Sequence, residues 1–454
     1  MATSADVKRA VGGAQTPDAQ DAGAGGGEGG CAGAGRRGEC IRRTPQAHQM
    51  KTTPSNHITD LRGGSRLAVD AVTGITDLVQ ALHSTIARAP HAIGGPRVGG
   101  AVEGITALVY NSIRGVARAV GGGLDRALGA VAPALGQIES SPLREALLAA
   151  LNGVLGDYLA ASGNPLVIPM RLRHNGQPLA PTREVLAAAY PAASAHLLLL
   201  VHGLCMNDLG WRRKGHDHGA ALAYDLHASR IDLHYNSGLH VSTNGHSLAH
   251  LLQALVEAWP VPVQEITILA HSMGGLVARS AHHTAQSEGL AWAGRLRRMV
   301  FLGTPHHGAP LERGGHWIDL LLEQTPFTAP FARLGKIRSA GITDLRQGLV
   351  LDEEWQGRDR FAGRALPRRG LPLPVEVQCF TVAATTGTLD DRVRTRLLGD
   401  GLVPVPSALG EHRNPRLALA LLPQHRWIAY GCNHLDLLSS AEVCQRLRAW
   451  LAAH

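Results

Sequence analysis

Residues 266–276 read ITILAHSMGGL. A short apolar, β-branched run leads into Ser272, two glycines follow, and LVARSAHHTAQ (276–286) continues with helical period. This is the arrangement of a nucleophile elbow, a serine on a tight turn between a buried strand and a helix, with small neighbours that avoid clashes. Ala270 stands where the G-x-S-x-G pattern has its first glycine. A pattern relaxed to admit that alanine should occur on the order of once by chance in a chain this rich in Gly, Ala and Ser. It occurs a second time as AQSEG (285–289), around Ser287. Ser287 follows a helical run and has no strand before it, so it reads as a helix end. Ser272 has the strand, the small residues and the helix.

Working outward, short apolar runs alternate with helical stretches after residue 165. Strands are expected at HLLLLVH (196–202), IDLHYN (231–236), ITILA (266–270), RMVFLG (298–303), VEVQCFTVAA (375–384) and HRWIAYG (425–431). Between them lie segments of helical period such as LAHLLQALVEAW (248–259). Such alternation predicts an α/β domain built on a mostly parallel sheet with helices on both faces. The last helix is expected to begin with a capping box made by Ser439 and Glu442.

A serine hydroxyl needs a histidine to take its proton and a carboxylate to fix that histidine's tautomer. On this fold the chain order is Ser, then Asp or Glu, then His. With 24 histidines in the chain, position must select. His434, in YGCNHLDLLSS, follows the last strand and precedes the last helix, and Asp400, in LLGDGLVPVPS, follows the strand at 375–384 with glycines on both sides. Asp390, Asp391 and Glu411 compete with Asp400 for the acid role. Two backbone donors are also needed for a developing oxyanion. Met273 N–H, directly after the serine, is one candidate. Leu204 N–H, in VHGLCMND after the first core strand, is the other. His202, Gly203 and His271, which flank these donors, are expected at the substrate-binding surface.

VHGLCMND, YNSGLHVSTNG, AHSMGG, FLGTPHHGAPLERGG, GDGLVPVPS and CNHLDLL together resemble the ordered signatures of α/β-hydrolase lipases and esterases. The resemblance is nearest to bacterial lipase-like proteins related to the hydrolase domain of GPI inositol deacylases, and it covers roughly residues 165–454. It implies a serine ester hydrolase with Ser272, Asp400 and His434 as triad, and it supports Met273 and Leu204 as oxyanion donors. A thioesterase, an acyltransferase or a polyester depolymerase would use the same triad. A membrane-surface or scaffolding protein with an idle hydrolase fold is the reading outside catalysis. Some lipases of this kind bind calcium through an Asp two residues after the catalytic His and a Gln four further on. Here Asp436 is present but Ser440 takes the second place, so Asp436 is expected to stabilise the start of the last helix.

No cofactor or metal is expected, because His216-Asp-His218 and Thr304-Pro-His306-His307 lack a third ligand at fitting spacing. The six cysteines form no CxxC pair and read as buried or free thiols. The net charge of +8 rests on forty arginines against four lysines, in scattered clusters without interleaved aromatics, so nucleic acid is not an expected partner. The expected partner is an ester or lipid substrate.

Residues 1–60 are Gly-rich and poor in apolar side chains, and are expected to form a disordered tail. Residues 61–163 are expected to be a helical region with a duplicated amphipathic helix: GITDLVQALHSTIAR (74–88) aligns with GITALVYNSIRGVAR (104–118). Peripheral membrane contact through this region is an expectation. A third helix should start at Ser141-Pro142. Residues 164–454 are the hydrolase domain, with a lid or cap insertion at about 304–374 that includes WIDLLLEQTPFTAPF. Neither an apolar leader nor a membrane-length apolar run is visible, which makes the cytoplasm the default location.

Overall fold

The computed structural model describes residues 54–55, 59–70, 122, 138–139, 141–309, 339–359, 368–388 and 399–452. The expected tail, the duplicated segments 74–88 and 104–118, most of the expected lid including residues 317–331, and the competing acids Asp390 and Asp391 lie outside the described residues.

Helix α1 (Pro142–Ala161) opens at Ser141, whose side chain accepts the Arg144 N–H, with proline at the first helical position. The hairpin β1 (Arg171–His174) and β2 (Gln177–Leu179) follows, then α2 (Arg183–Ala189). From there strands and helices alternate: β3 (His196–Val201), α3 (His218–Asp225), β4 (Ser229–His234), α4 (Val241–Ala258), β5 (Glu265–His271), α5 (Met273–Glu288) and β6 (Leu296–Leu302). After these come α6 (Ala340–Gln347), β7 (Gln378–Thr385), β8 (Arg426–Tyr430) and α7 (Ala441–Ala452).

The strands form one eight-stranded sheet in the order β8-β7-β6-β5-β3-β4-β1-β2. All neighbours from β8 to β4 are parallel, and β1 joins β4 antiparallel. The sheet is buried on both sides, which is why its strands read as continuous apolar runs. In β3, Leu197, Leu199 and Val201 pack with Leu248, Leu252, Leu276 and Val277 of α4 and α5. Leu198 and Leu200 face the other way, into a core with Leu222 of α3 and Leu447 and Trp450 of α7.

One expectation needs correction, and one element was unexpected. The β1–β2 hairpin was not anticipated, because its strands are short and carry Arg171 and Arg173 instead of an apolar run. The last helix is capped one residue later than expected: the Ser440 hydroxyl accepts the Val443 N–H, and Ser439 lies before the cap. Helix α1 packs against the strands and loops that follow it. Its Glu145 is buried against Arg173 of β1 (3.0 Å), which also pairs with Asp208 (2.9 Å). Its small residues let it approach the loops at the ends of β3 and β4. A Cβ at Gly153 would land on Cys205, and one at Gly156 would land on Asn236.

Candidate active site

Ser272 ends β5 and starts α5 with φ 54° and ψ −127°, a left-handed conformation that non-glycine residues rarely hold. The strain is held by packing on every side. The Ser272 N–H donates to the Leu302 carbonyl (2.8 Å), which ties the turn to β6. A Cβ at Gly274 would strike the carbonyl oxygens of Val201 and His202, so α5 can sit against the end of β3 only with glycine there. Ala270 is fully buried inside β5, and its methyl group is accommodated there. The decoy separates cleanly: Ser287 is exposed near the C-terminal end of α5, its hydroxyl bonded to Thr284 O (2.9 Å), and Gly289 terminates that helix.

Asp400 and His434 come together although 34 residues separate them. His434 Nδ1 lies 2.7 Å from Asp400 Oδ2, with both side chains buried. The other carboxylate oxygen accepts the N–H groups of Leu402 (2.9 Å) and Val403 (2.7 Å), in a turn where Gly399 and Gly401 both take positive φ. The His434 N–H returns to the Asp400 carbonyl (3.1 Å), so side chain and backbone fix the same register. The Asp400 carboxylate thus accepts from three donors, and its bond to Nδ1 leaves Nε2 of His434 with the free lone pair. The alternative acid Glu411 faces Arg426 instead (3.9 Å).

His434 sits beside the serine turn. His271, the residue before Ser272, donates from Nε2 to the His434 carbonyl (3.1 Å), and the two rings lie 4.7 Å apart. A Cβ at Gly303, directly after the Leu302 that holds Ser272, would come within 3.1 Å of the His434 ring. Ser272 Oγ donates to no protein acceptor among the described residues, as is common before a substrate draws such a pair together.

The loop after β3 passes close to this turn, since a Cβ at Gly203 would meet that of Ser272 at 2.9 Å. Leu204 N–H donates to no protein acceptor among the described residues. Met273 N–H, at the first position of α5, has no partner within its helix. Cys205 follows at φ 58° and is held there from two sides: its N–H donates to Ser237 Oγ (3.0 Å), and its side chain packs on α1 near the Ala150 carbonyl (3.8 Å). Burial pushes its thiol up to about 12, so it is an inert packing group. Ser237, Gly153 and Cys205 carry no signal at sequence level beyond small size.

His202 and His271, expected at the substrate-binding surface, are fully buried. His202 Nδ1 donates to the Gly203 carbonyl (2.9 Å), and its ring stacks on Tyr235 at 4.4 Å. Burial depresses both imidazoles, His202 to about 4 and His271 well below its ordinary value, so both are neutral at pH 7. They support the loop and the elbow from beneath. Gly203 faces Ser272 directly. The Asp436 carboxylate meets Lys214 Nζ at 2.7 Å, and its carbonyl accepts the N–H groups of Ser439 (3.0 Å) and Ser440 (2.8 Å) just before the last helix.

The eight-stranded order, the strained serine between β5 and α5, and the downstream acid and histidine define an α/β-hydrolase fold. A family model described as a domain of unknown function (DUF7379) matches residues 169–350. No curated protein matches the chain. Among solved structures, it is similar to a lipase-esterase related protein from Clostridium acetobutylicum, with 14% identity, 57% of this chain and 94% of that chain covered, and a TM-score of 0.30. A thioesterase from the prodiginine pathway of Streptomyces coelicolor gives 16% identity, 57% and 91% coverage, and a TM-score of 0.30. A thermophilic esterase from Thermogutta terrifontis gives 14%, 57%, 90% and 0.31. At these values the likeness assigns no activity. Among the described residues, no helix is long and apolar enough to cross a membrane.

Proposed function

We propose that this chain is a serine ester hydrolase that works through an acyl-enzyme. The observation that carries the reading is a strained serine at the end of β5 beside a buried His434 already bonded to Asp400 (2.7 Å). Ser272 Oγ attacks the ester carbonyl while His434 Nε2 takes its proton. The Asp400 carboxylate holds the Nδ1–H and stabilises the imidazolium that forms. The N–H groups of Met273 and Leu204 receive the oxyanion, and the positive end of α5 adds to their field. His434 then protonates the leaving alcohol. Water, deprotonated by the same nitrogen, releases the acid and restores Ser272.

The motif resemblance to lipase-like proteins supports an acyl ester or a lipid as substrate. The test is hydrolysis of p-nitrophenyl esters of increasing acyl length, run beside acyl thioesters. We expect ester turnover that Ser272→Ala lowers by about 10⁶-fold. A preference for thioesters would move the reading to a thioesterase, and turnover that survives Ser272→Ala would end it.

A further inference from the structure

A second cluster lies on the far side of the loop that carries His434. His216 belongs to a two-residue strand pairing with Arg212–Arg213, His218 begins α3, and Cys444 lies in the first turn of α7. One ligand atom from each lies within 4.8 Å of the other two. His218 and Cys444 are buried and His216 is half-buried, so the cluster is enclosed but reachable from one side.

The tautomers are fixed by the bonds these groups make. His218 Nε2 lies 2.9 Å from the Leu437 carbonyl, which can only accept, so Nε2 carries the hydrogen and Nδ1 a lone pair. That lone pair points at His216 Nε2, 2.7 Å away. An imidazole whose second nitrogen donates to a backbone carbonyl is the usual state of a metal-bound histidine. Cys444 adds a thiol from an element more than 200 residues away in sequence. Asp217, between the two histidines, is engaged elsewhere, with Arg230 (2.6 Å) and Arg212 (3.3 Å).

We propose that His216 Nε2, His218 Nδ1 and Cys444 Sγ bind one zinc(II) ion, with water as fourth ligand. Two imidazoles and a thiolate suit this borderline-soft cation. Binding moves the His216 hydrogen from Nε2 to Nδ1 and releases the thiol proton, so Zn²⁺ and Cys–SH give a zinc thiolate and one H⁺. Zinc–nitrogen bonds of about 2.0–2.1 Å in a tetrahedron set the two nitrogens roughly 3.3 Å apart, so the histidine pair opens by roughly 0.6 Å. The half-buried His216, on a tight turn at Lys214-Gly215, is the member that can move. The ion joins the 212–217 hairpin, α3 and α7. It also polarises His218, which strengthens the bond to Leu437 three residues beyond His434.

The test uses the full chain, stripped with a chelator and then titrated with Zn²⁺ and, separately, Co²⁺. We expect one ion per chain, one proton released, and a near-ultraviolet thiolate-to-cobalt charge-transfer band. Cys444→Ser should abolish that band and weaken zinc by at least about 100-fold, and His216→Ala should weaken it by at least about tenfold. A band that persists in Cys444→Ser, or zinc affinity unchanged in both variants, would assign the ion to other histidines and overturn the site. Absence of saturable binding to the wild-type chain would overturn it as well. His216→Ala removes a half-buried side chain and keeps the test open if Cys444→Ser fails to fold.

Discussion

The serine turn and the loop after β3, which carries the proposed oxyanion donor Leu204, lie side by side but are built in different ways. Ser272 is set by β5 before it and α5 after it, with its N–H tied to Leu302 of the neighbouring strand β6 and Gly274 admitting the end of β3, all within the parallel sheet. Around Leu204 almost nothing is local. Cys205 is kept at positive φ by Ser237 from the end of β4 and by α1, whose Gly153 fits against it. The proposed nucleophile is held by the ends of the strands beside it, and the proposed oxyanion donor depends in addition on α1, an element upstream of the whole parallel sheet. Activity should therefore be sensitive to α1 as well as to the sheet domain.

Four substitutions break or sharpen this contrast. Asp400→Asn should lower kcat by about 10⁴, because the amide oxygen stays with the Leu402 and Val403 N–H groups and turns its NH2 toward His434 Nδ1, which holds the wrong tautomer. A small loss in steady-state ester hydrolysis would return the acid role to Asp390, Asp391 or Glu411. Glu145→Ala should destabilise the whole fold by about 3–5 kcal/mol in denaturant unfolding, since it leaves Arg173 with a single buried partner. If α1 were a separate unit, unfolding of the sheet domain would not change. Gly153→Val pushes on Cys205 and should lower kcat by up to about 10²-fold with little change in KM, as loss of one oxyanion donor does. It should also cost about 1–3 kcal/mol in stability through overpacking. A kcat loss that disappears once rates are normalised to the folded fraction would point to general unfolding instead. Ser287→Ala should leave kcat unchanged and stability within about 0.5 kcal/mol, as expected for an exposed helix position.

The local parts of this architecture were legible in the sequence. Six strands lie where their apolar runs suggested, because a sheet covered on both faces demands such runs. Asp400 and His434 were selected by chain order, and their side chains lie 2.7 Å apart. What escaped was long-range. The β1–β2 hairpin hides behind Arg173, whose burial makes sense only once Glu145 and Asp208 surround it. Gly153 and Gly156 weaken a helix by propensity, and their value appears only where Cys205 and Asn236 press on them. His202 and His271 looked like binding residues because they flank the site, yet the backbone there turns their rings inward. The pair His216–His218 lacked a third ligand at any sequence spacing, and α7 brings Cys444 beside it.

The most direct test of the central claim is the intact mass of the protein after reaction with a fluorophosphonate, followed by peptide mapping. The account predicts a single adduct on Ser272, formed within minutes and absent from Ser272→Ala. An intact protein that takes no adduct, or one that still takes it after Ser272→Ala, would contradict it.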